Sequence, residues 1–380
     1  MSEQKILCSL ETVLNIVDHP NADLLKIARV LGYDVVISPT KDEILVGSKV
    51  LMFFVDAVIS PRISDTPYFA FLEKTYMGKR VKTTSIRGQR SQGILFSLNI
   101  AKILFPEIDF DSLPLGTNLT NETGTVKYFS KDDAERPFTR IQNTPQEEDR
   151  LLDDFPSQIP KTEQVHLQKN PDILENSQNR PVVVTLKVDG QSGTFFYDPE
   201  TKEAGMCSRN FKILLNDKGE HPNSPQFVEI EKKYDILNKL KQLGRPLAIQ
   251  GEIYGQMKGR APINRNRMQA SGLYFAVFGI YEWNSAESDH GGKYLLHSQV
   301  LEICKELDLP HVPVLYECPL NQLPQTIDGW MNLVDDLKYD SLETSKKGLP
   351  AEGIVCKSTD DNTLSFKVVS SMYLYNHKCG

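Results

Sequence analysis

Lys187 stands in Lys187-Val188-Asp189-Gly190, at the end of a strongly apolar run over 182–188. A lysine leaving a buried strand must reach either solvent or a site. Three later segments deliver charge in the same way. Gln250-Gly251-Glu252-Ile253-Tyr254-Gly255 puts a carboxylate at a strand end between two glycines. Glu352-Gly353-Ile354-Val355-Cys356-Lys357 sets a Glu before a strand whose last residue is Lys, and Ser365-Phe366-Lys367-Val368 holds a Lys inside an apolar strand. An ordinary core rejects such charges. Four strands that each carry one predict a shared polar site.

The chemistry of that set is nucleophilic and phosphate-directed. Free lysine keeps its proton up to pH ~10.4; desolvation and neighbouring cations such as Lys357 and Lys367 are expected to favour the neutral amine. The same cations could neutralise a triphosphate. Asp189, Glu252 and Glu352 offer hard oxygen ligands suited to Mg²⁺ or Mn²⁺. Attack of an amine on an α-phosphorus needs in-line geometry and a metal to offset developing charge.

Two units must position these groups, because single cores stop growing at roughly 250 residues and the chain has 380. Over 1–125, strand-like runs such as 33–37, 49–59 and 92–98 lie close together and predict a small all-β barrel or sandwich. The stretch 126–180 turns charged and rich in Pro and Gln and is read as linker and lead-in. From 181 to 380, strand-like runs alternate with helical patterns over 227–243 and 294–309, which predicts an α+β domain with its own core.

Charge and cysteine usage exclude several classes. With 43 Lys+Arg against 50 Asp+Glu the net charge is −7, so the chain is not a uniformly basic nucleic-acid binder. One basic stretch stands out: Lys74, Lys79, Arg80, Lys82, Arg87 and Arg90 with no acidic residue among them. It reads either as a solvated charge run or, on a small barrel, as a track for a phosphate backbone. The longest apolar run, 50–55, is far short of the ~20 residues of a membrane span, and the first residues lack the pattern of a secretory signal. Six scattered cysteines with no CxxC pair argue against a zinc site or a disulfide scaffold and suggest a reducing intracellular compartment, cytoplasmic or nuclear.

In order and type these residues resemble the covalent nucleotidyltransferase superfamily of ATP-dependent ligases and mRNA capping enzymes. Lys187-Val188-Asp189-Gly190 is similar to motif I, whose lysine becomes a lysyl-nucleotide. Cys207-Ser208-Arg209-Asn210 resembles the next motif, with Arg209 as the basic residue that contacts the nucleotide. Glu252 matches the glutamate that holds the ribose, and Phe278 the aromatic that stacks on the purine. Glu352 and Lys357 match motif IV, and Lys367 matches motif V. DNA ligases and capping enzymes carry an OB barrel after motif V, whereas thirteen residues follow Lys367 here. The second β module is N-terminal, as in RNA ligases with an N-terminal OB domain. Segments from His19, Arg80 and Phe155 are similar to that clade. Departures are Leu186 where many members have an adenine-reading Glu, Ser365 where motif V often has Lys, and Ser192 where DNA ligases and capping enzymes have Arg.

The resemblance implies an α+β chain: an N-terminal OB-like β-barrel, then a ligase-type nucleotidyltransferase domain with antiparallel sheets. It implies an ATP-dependent RNA ligase that seals 5′-phosphate and 3′-hydroxyl ends through lysyl-AMP and RNA-adenylate. Lys187, Glu352 and Lys367 would be catalytic; Lys187, Arg209, Glu252, Phe278, Lys357 and Lys367 would bind nucleotide; Asp189, Glu252 and Glu352 would hold Mg²⁺ or Mn²⁺. Lys79, Arg80, Lys82, Arg87 and Arg90 would follow the RNA backbone. The partner is RNA ends or a nicked duplex containing RNA, with a monomer expected and no membrane. Two other readings stand beside it: a DNA ligase or capping guanylyltransferase, and a non-catalytic nucleic-acid-binding protein on a ligase fold. The loop from Lys258, KGRAPINRNR, reads as a pyrophosphate or RNA contact or as a plain surface loop, and His19 before Pro20 as a turn residue.

Overall fold

The computed structural model describes residues 6–70, 80–128, 151–162, 164–283 and 291–378. The N-terminal unit is built around the apolar run that the sequence carries at 50–55. Strand β5 (Lys49–Phe53) lies between β1 (Cys8–Thr12) and β9 (Ile94–Ser97), antiparallel to both. Alternate residues of β5 feed two different cores. Leu51 and Phe53 pack with Leu10 and Phe96, while Val50 and Met52 pack with Val35 and Leu95 on the other side. A strand buried on both faces has no polar alternation, which explains the unbroken apolar run.

The second core is closed by β2 (Asn15–Asp18), β3 (Lys26–Val30) and β4 (Tyr33–Ile37), an antiparallel meander. The first is closed by the short helices α1 (Pro61–Ser64) and α2 (Pro67–Ala70) and by α3 (Leu98–Leu104), which Ser97 caps through its hydroxyl. Strand β6 (Ala57–Val58) pairs with β10 (Val126–Lys127), and β7 (Thr84–Ile86) with β8 (Gln89–Ser91) in a hairpin. Among the described residues the strand pairing forms separate sheets rather than one closed ring. His19 is a turn residue, its Nδ1 accepting from the Asn21 amide at 3.1 Å.

The C-terminal unit consists of two sheets. The seven-stranded sheet runs β11 (Leu152–Asp154), β16 (Phe211–Ile213), β15 (Glu203–Cys207), β14 (Gln191–Asp198), β17 (Leu247–Gly255), β18 (Leu273–Trp283), β19 (Gly292–Tyr294), antiparallel throughout. The five-stranded sheet runs β12 (Val165–His166), β22 (Ser365–Val369), β21 (Gly353–Ser358), β13 (Pro181–Lys187), β20 (Val314–Pro319). Its one parallel pair is β12 with β22; the others are antiparallel. Both β11 and β12 come from the stretch read as linker. They are two- and three-residue edge strands, too short to carry a period.

Helices α5 (Pro225–Tyr234), α6 (Ile236–Leu243) and α7 (His297–Glu306) cover the outer face of the larger sheet, where Phe195, Ile249, Ile253 and Phe275 meet Phe227, Ile230, Leu240 and Ile303. The single helical pattern over 227–243 is thus two helices. Asp235 sits at φ 53°, a left-handed position that Asp tolerates, and the Glu231 carboxylate accepts from the Leu237 amide at 3.1 Å to start α6. The outer face of the smaller sheet packs Val184, Ile354, Phe366 and Val368 against Trp330, Met331 and Val334 of α8 (Ile327–Asp336). Helix α4 (Asp172–Asn176) adds Leu174 to that core, and α9 (Ser371–Lys378) follows the last strand. No helix among the described residues is long and apolar enough to cross a membrane.

Candidate active site

Strand alternation sorts the charges. In the smaller sheet Lys187 is opposite Gly353, Val183 opposite Lys357, and Val355 opposite Lys367. Cross-strand partners share a face, so the three lysines project from one face. Val184, Ile354, Cys356 and Phe366 take the other, where the core lies. The larger sheet does the same with Glu252. It stands opposite Ser192 and Ala276 on the inner face, while its neighbours Gly251 and Ile253 face the helices. The two inner faces meet where Lys357 Nζ donates to the Phe278 carbonyl at 2.8 Å.

Phe278 owes its place to a bulge. Gln250 pairs with Gly279 and Gly251 with Val277, so Phe278 is the extra residue between them. Its ring is half-buried and packs beside Leu186, Tyr254 and Ala276. Leu186 itself is buried, and its amide donates to Pro313 O at 2.9 Å.

At the other end of the cleft, Lys187 Nζ donates to Glu352 Oε2 at 2.7 Å, with 27% of the lysine side chain exposed. Burial alone would favour the neutral amine, but Glu352, Glu252 and Asp189 outweigh it and hold the ammonium above the usual lysine range. The expected neutral nucleophile is therefore not the resting state. Three carboxylates surround Lys187, and Lys357 and Lys367 stand further along the same face. The acids bear the converse cost. Burial, with Glu352 and Asp189 nearby, pushes Glu252 up to about 8. Burial and then Glu352 push Asp189 up to about 6, against Tyr373, Arg267 and Lys187, which pull it down. Gly190 lets β14 leave close to β17, since a Cβ there would stand 2.2 Å from Ile253 O.

Four residues of this cluster carry no pattern of their own in the sequence. Asn264 Nδ2 donates to Asp189 Oδ1 at 2.5 Å, and Arg267 Nη1 lies 3.9 Å from Asp189 Oδ2. Both belong to the basic loop, which is neither a free surface loop nor wholly committed, because Lys258, Arg260 and Arg265 remain exposed. Tyr339 accepts from the Glu352 amide at 3.0 Å through its hydroxyl. Tyr373 donates to Asp189 and accepts from Arg267 Nη1 at 3.1 Å.

The remaining expected residues sit as follows. Arg209 is exposed in the turn between β15 and β16, where its charge is felt by Glu252. Lys357 is pushed down to about 8 by burial. Of the basic stretch, Lys79 lies outside the described residues. Arg80 pairs with Asp56 at 2.7 Å and lies 3.8 Å over the Tyr128 ring. Arg90, 15% exposed, pairs with Asp34 at 3.0 Å. Lys82 and Arg87 are exposed. The stripe is thus split between fold-holding and solvent-facing charges. Among the described residues no group of three His, Cys, Asp or Glu side chains is assembled to hold a metal ion.

This geometry meets an independent comparison. The RNA ligase family model matches residues 180–369, half of the chain and all four strands that carry the charges, β13, β17, β21 and β22. The chain belongs to the RNA ligase family. An OB-fold domain model matches residues 7–98 of the ligase. Solved structures of Naegleria gruberi RNA ligase variants are similar over nearly the whole length. An apo variant is 26% identical with a TM-score of 0.72, covering 98% of each chain. A variant with ATP and Mn is 26% identical with a TM-score of 0.71, covering 98% of this chain and 99% of that one. A third, with AMP and Mn, is 25% identical with a TM-score of 0.72 at the same coverage. A search of curated proteins gives no match. The ligase is an α+β enzyme with an N-terminal OB-fold domain and antiparallel sheets in its catalytic region.

Beyond Lys357 the ligase half-buries two imidazoles, His297 and His311, with ring centroids 5.2 Å apart. Burial, then His297 and Lys357, push His311 down to about 4. A histidine unfolds to a value near ~6.5, so between those limits the unfolded chain binds more protons. Stability therefore rises with pH across that window and is lost as pH falls towards 4, by at most about 3 kcal/mol. Urea unfolding at steps from pH 4 to 7 is expected to show this slope, and His311→Gln to flatten it.

Proposed function

We propose that the ligase seals 5′-phosphate and 3′-hydroxyl RNA ends with ATP, through a nucleotide carried on Lys187. The observation that carries this is the Lys187 amine, bonded to Glu352 among three carboxylates within the span matched by the RNA ligase family. Lys187 Nζ passes its extra proton to Glu352, its hydrogen-bond partner, and the neutral amine attacks the α-phosphorus of ATP; a P–N bond forms, the bond to the bridging oxygen breaks, and pyrophosphate leaves. The RNA 5′-phosphate then displaces lysine and takes the AMP. A 3′-hydroxyl attacks the activated phosphorus, and AMP departs.

Glu252 would hold the ribose and Phe278 would stack on the base. Arg209, Lys357 and Lys367 would balance phosphate charge as it shifts from one bridging oxygen to the next. Asp189, Glu252 and Glu352 suit a hard divalent cation, Mg²⁺ or Mn²⁺. Burial and the neighbouring carboxylates raise Asp189 and Glu252, and such an ion would favour their charged forms. With no three-ligand group preassembled among the described residues, one or two carboxylates plus substrate phosphates would hold it. When bound, such an ion would supply charge to offset the carboxylates holding Lys187 protonated and the oxygens of the phosphate. Of the basic stretch in the N-terminal unit, taken as 1–125, Lys82 and Arg87 are the described cations exposed for a strand. An intracellular compartment agrees with the unpaired state of the five described cysteines, and we assign the monomer as the working form.

The test is covalent labelling by ATP and GTP carrying a labelled α-phosphate, followed by nick sealing on RNA and DNA duplexes. Acid-labile ATP label that pyrophosphate removes, with sealing of RNA, is the expected result. GTP label would move the chain to the capping reading. A DNA preference would move it to DNA ligation, and no label in folded protein would sink the enzyme reading.

A further inference from the structure

Helix α9 touches both units, on opposite faces. Residues four apart on a helix share a face, and residues two apart lie about 200° around it. Ser371 and Tyr375 form one such pair. Ser371 Oγ donates to Gln92 Oε1 at 3.1 Å, and the Tyr375 hydroxyl donates to Gly88 O at 3.3 Å. Both acceptors belong to the β7–β8 hairpin region of the N-terminal unit, and Gln92 is 1% exposed. Arg90, two residues before Gln92, donates to Met372 Sδ at 3.6 Å.

Tyr373 points the other way, into the site. Its hydroxyl lies between Arg267 and Asp189, and its ring carries the Arg267 guanidinium 5.5 Å from the centroid. The start of α9 is held by the same site: the Ser370 amide donates to Glu352 O at 2.8 Å, and Ser370 Oγ accepts from the Tyr373 amide at 3.0 Å. Asp335 of α8 accepts from Ser370 Oγ and from the Met372 amide. Eight residues of helix therefore connect an N-terminal hairpin to the backbone of Glu352 and the carboxylate of Asp189, two of the three acids around Lys187.

We propose that Tyr373 is a positioning residue for Asp189 and Arg267, and that α9 keys its position to the N-terminal hairpin through Gln92. The inference rests on the adenylylation reading given above. Tyr373 touches no reacting atom. Its hydroxyl fixes which way Asp189 and Arg267 face, and α9 fixes the hydroxyl. A shift of the hairpin moves Ser371 and Tyr375, and Tyr373 moves with them because they share two helical turns.

The test compares wild type, Tyr373→Phe, Gln92→Leu and the double variant in single-turnover adenylylation of the full chain. Tyr373→Phe is expected to lower the rate about tenfold, with the ATP concentration at half-maximal rate unchanged and the final label per chain equal to wild type. A tyrosine that only supports the fold would lower the final label instead, and that outcome overturns the proposal. Gln92→Leu is expected to slow the step at least about threefold. The double variant should be slowed by less than the product of the two factors. Factors that multiply would break the link between hairpin and site. Hydrogen exchange reads the positioning role without nucleotide. Tyr373→Phe is expected to speed exchange in the loop around Arg267 about tenfold, and unchanged exchange overturns the role even in a chain that ATP does not label. Wild type without ATP label, beside faster exchange in the variant, would sink the adenylylation reading and leave the positioning role standing.

Discussion

Lys187→Ala is expected to abolish covalent nucleotide transfer, lowering ATP labelling by at least about a thousandfold. The reason is positional as much as chemical. Lys357 is committed to the Phe278 carbonyl, and by strand register it sits four residues along β21 from the position opposite Lys187. It cannot substitute without moving a strand. Lys187→Arg separates charge from nucleophile, since arginine keeps the cation but does not give up its proton. Both variants unlabelled would identify Lys187 as the nucleophile; label retained by the arginine variant would refute it. The alanine variant should also melt lower above pH 6, because Glu352, Glu252 and Asp189 lose the cation they share. For a pair partly open to solvent this costs about 2 kcal/mol.

Gly353→Ala is expected to lower stability more than Lys187→Ala does. Gly353 adopts φ 148°, and an added Cβ would stand 2.0 Å from Val368 O on the adjacent strand. Neither atom is a flexible side chain, so β21 and β22 must part. The cost is about 3 kcal/mol or more, read as a fall of about 5–10 °C in the thermal midpoint. The same glycine lies opposite Lys187 and directly after Glu352, so adenylylation should fall with it. A variant that melts and labels like wild type would overturn the assignment.

What the sequence made legible followed from local pattern. Apolar runs marked most of the long strands, and a charge placed where a core would reject it marked Lys187, Glu252, Lys357 and Lys367. Those signals survive folding because a strand's period sends alternate residues to opposite faces regardless of its partners. What stayed hidden depended on residues distant in sequence. Asp34 neutralises Arg90 and Asp56 neutralises Arg80, which a count over 74–90 does not reveal. The break at Asp235 needed a left-handed residue inside an unbroken helical pattern. Asn264, Arg265 and Asn266 all adopt positive φ (42°, 64° and 44°), and nothing in their types announces that this loop bends back onto Asp189. Tyr339 and Tyr373 appear as ordinary aromatics until tertiary packing brings their hydroxyls to Glu352 and Asp189.

The parity of β21 has a consequence for how this site can vary. Lys357 and Val355 face the cleft while Ile354 and Cys356 face the core. Exchange of one side chain for another leaves that assignment intact, so the site can drift in composition and stay open for business. A deletion of one residue within the strand does not degrade it by degrees. It exchanges inside for outside, driving an ammonium into the Trp330 core and a leucine-sized apolar group into the cleft. Variants of this enzyme can therefore lengthen or shorten at their loops, while the spacing from Glu352 to Lys357 is held like a reading frame.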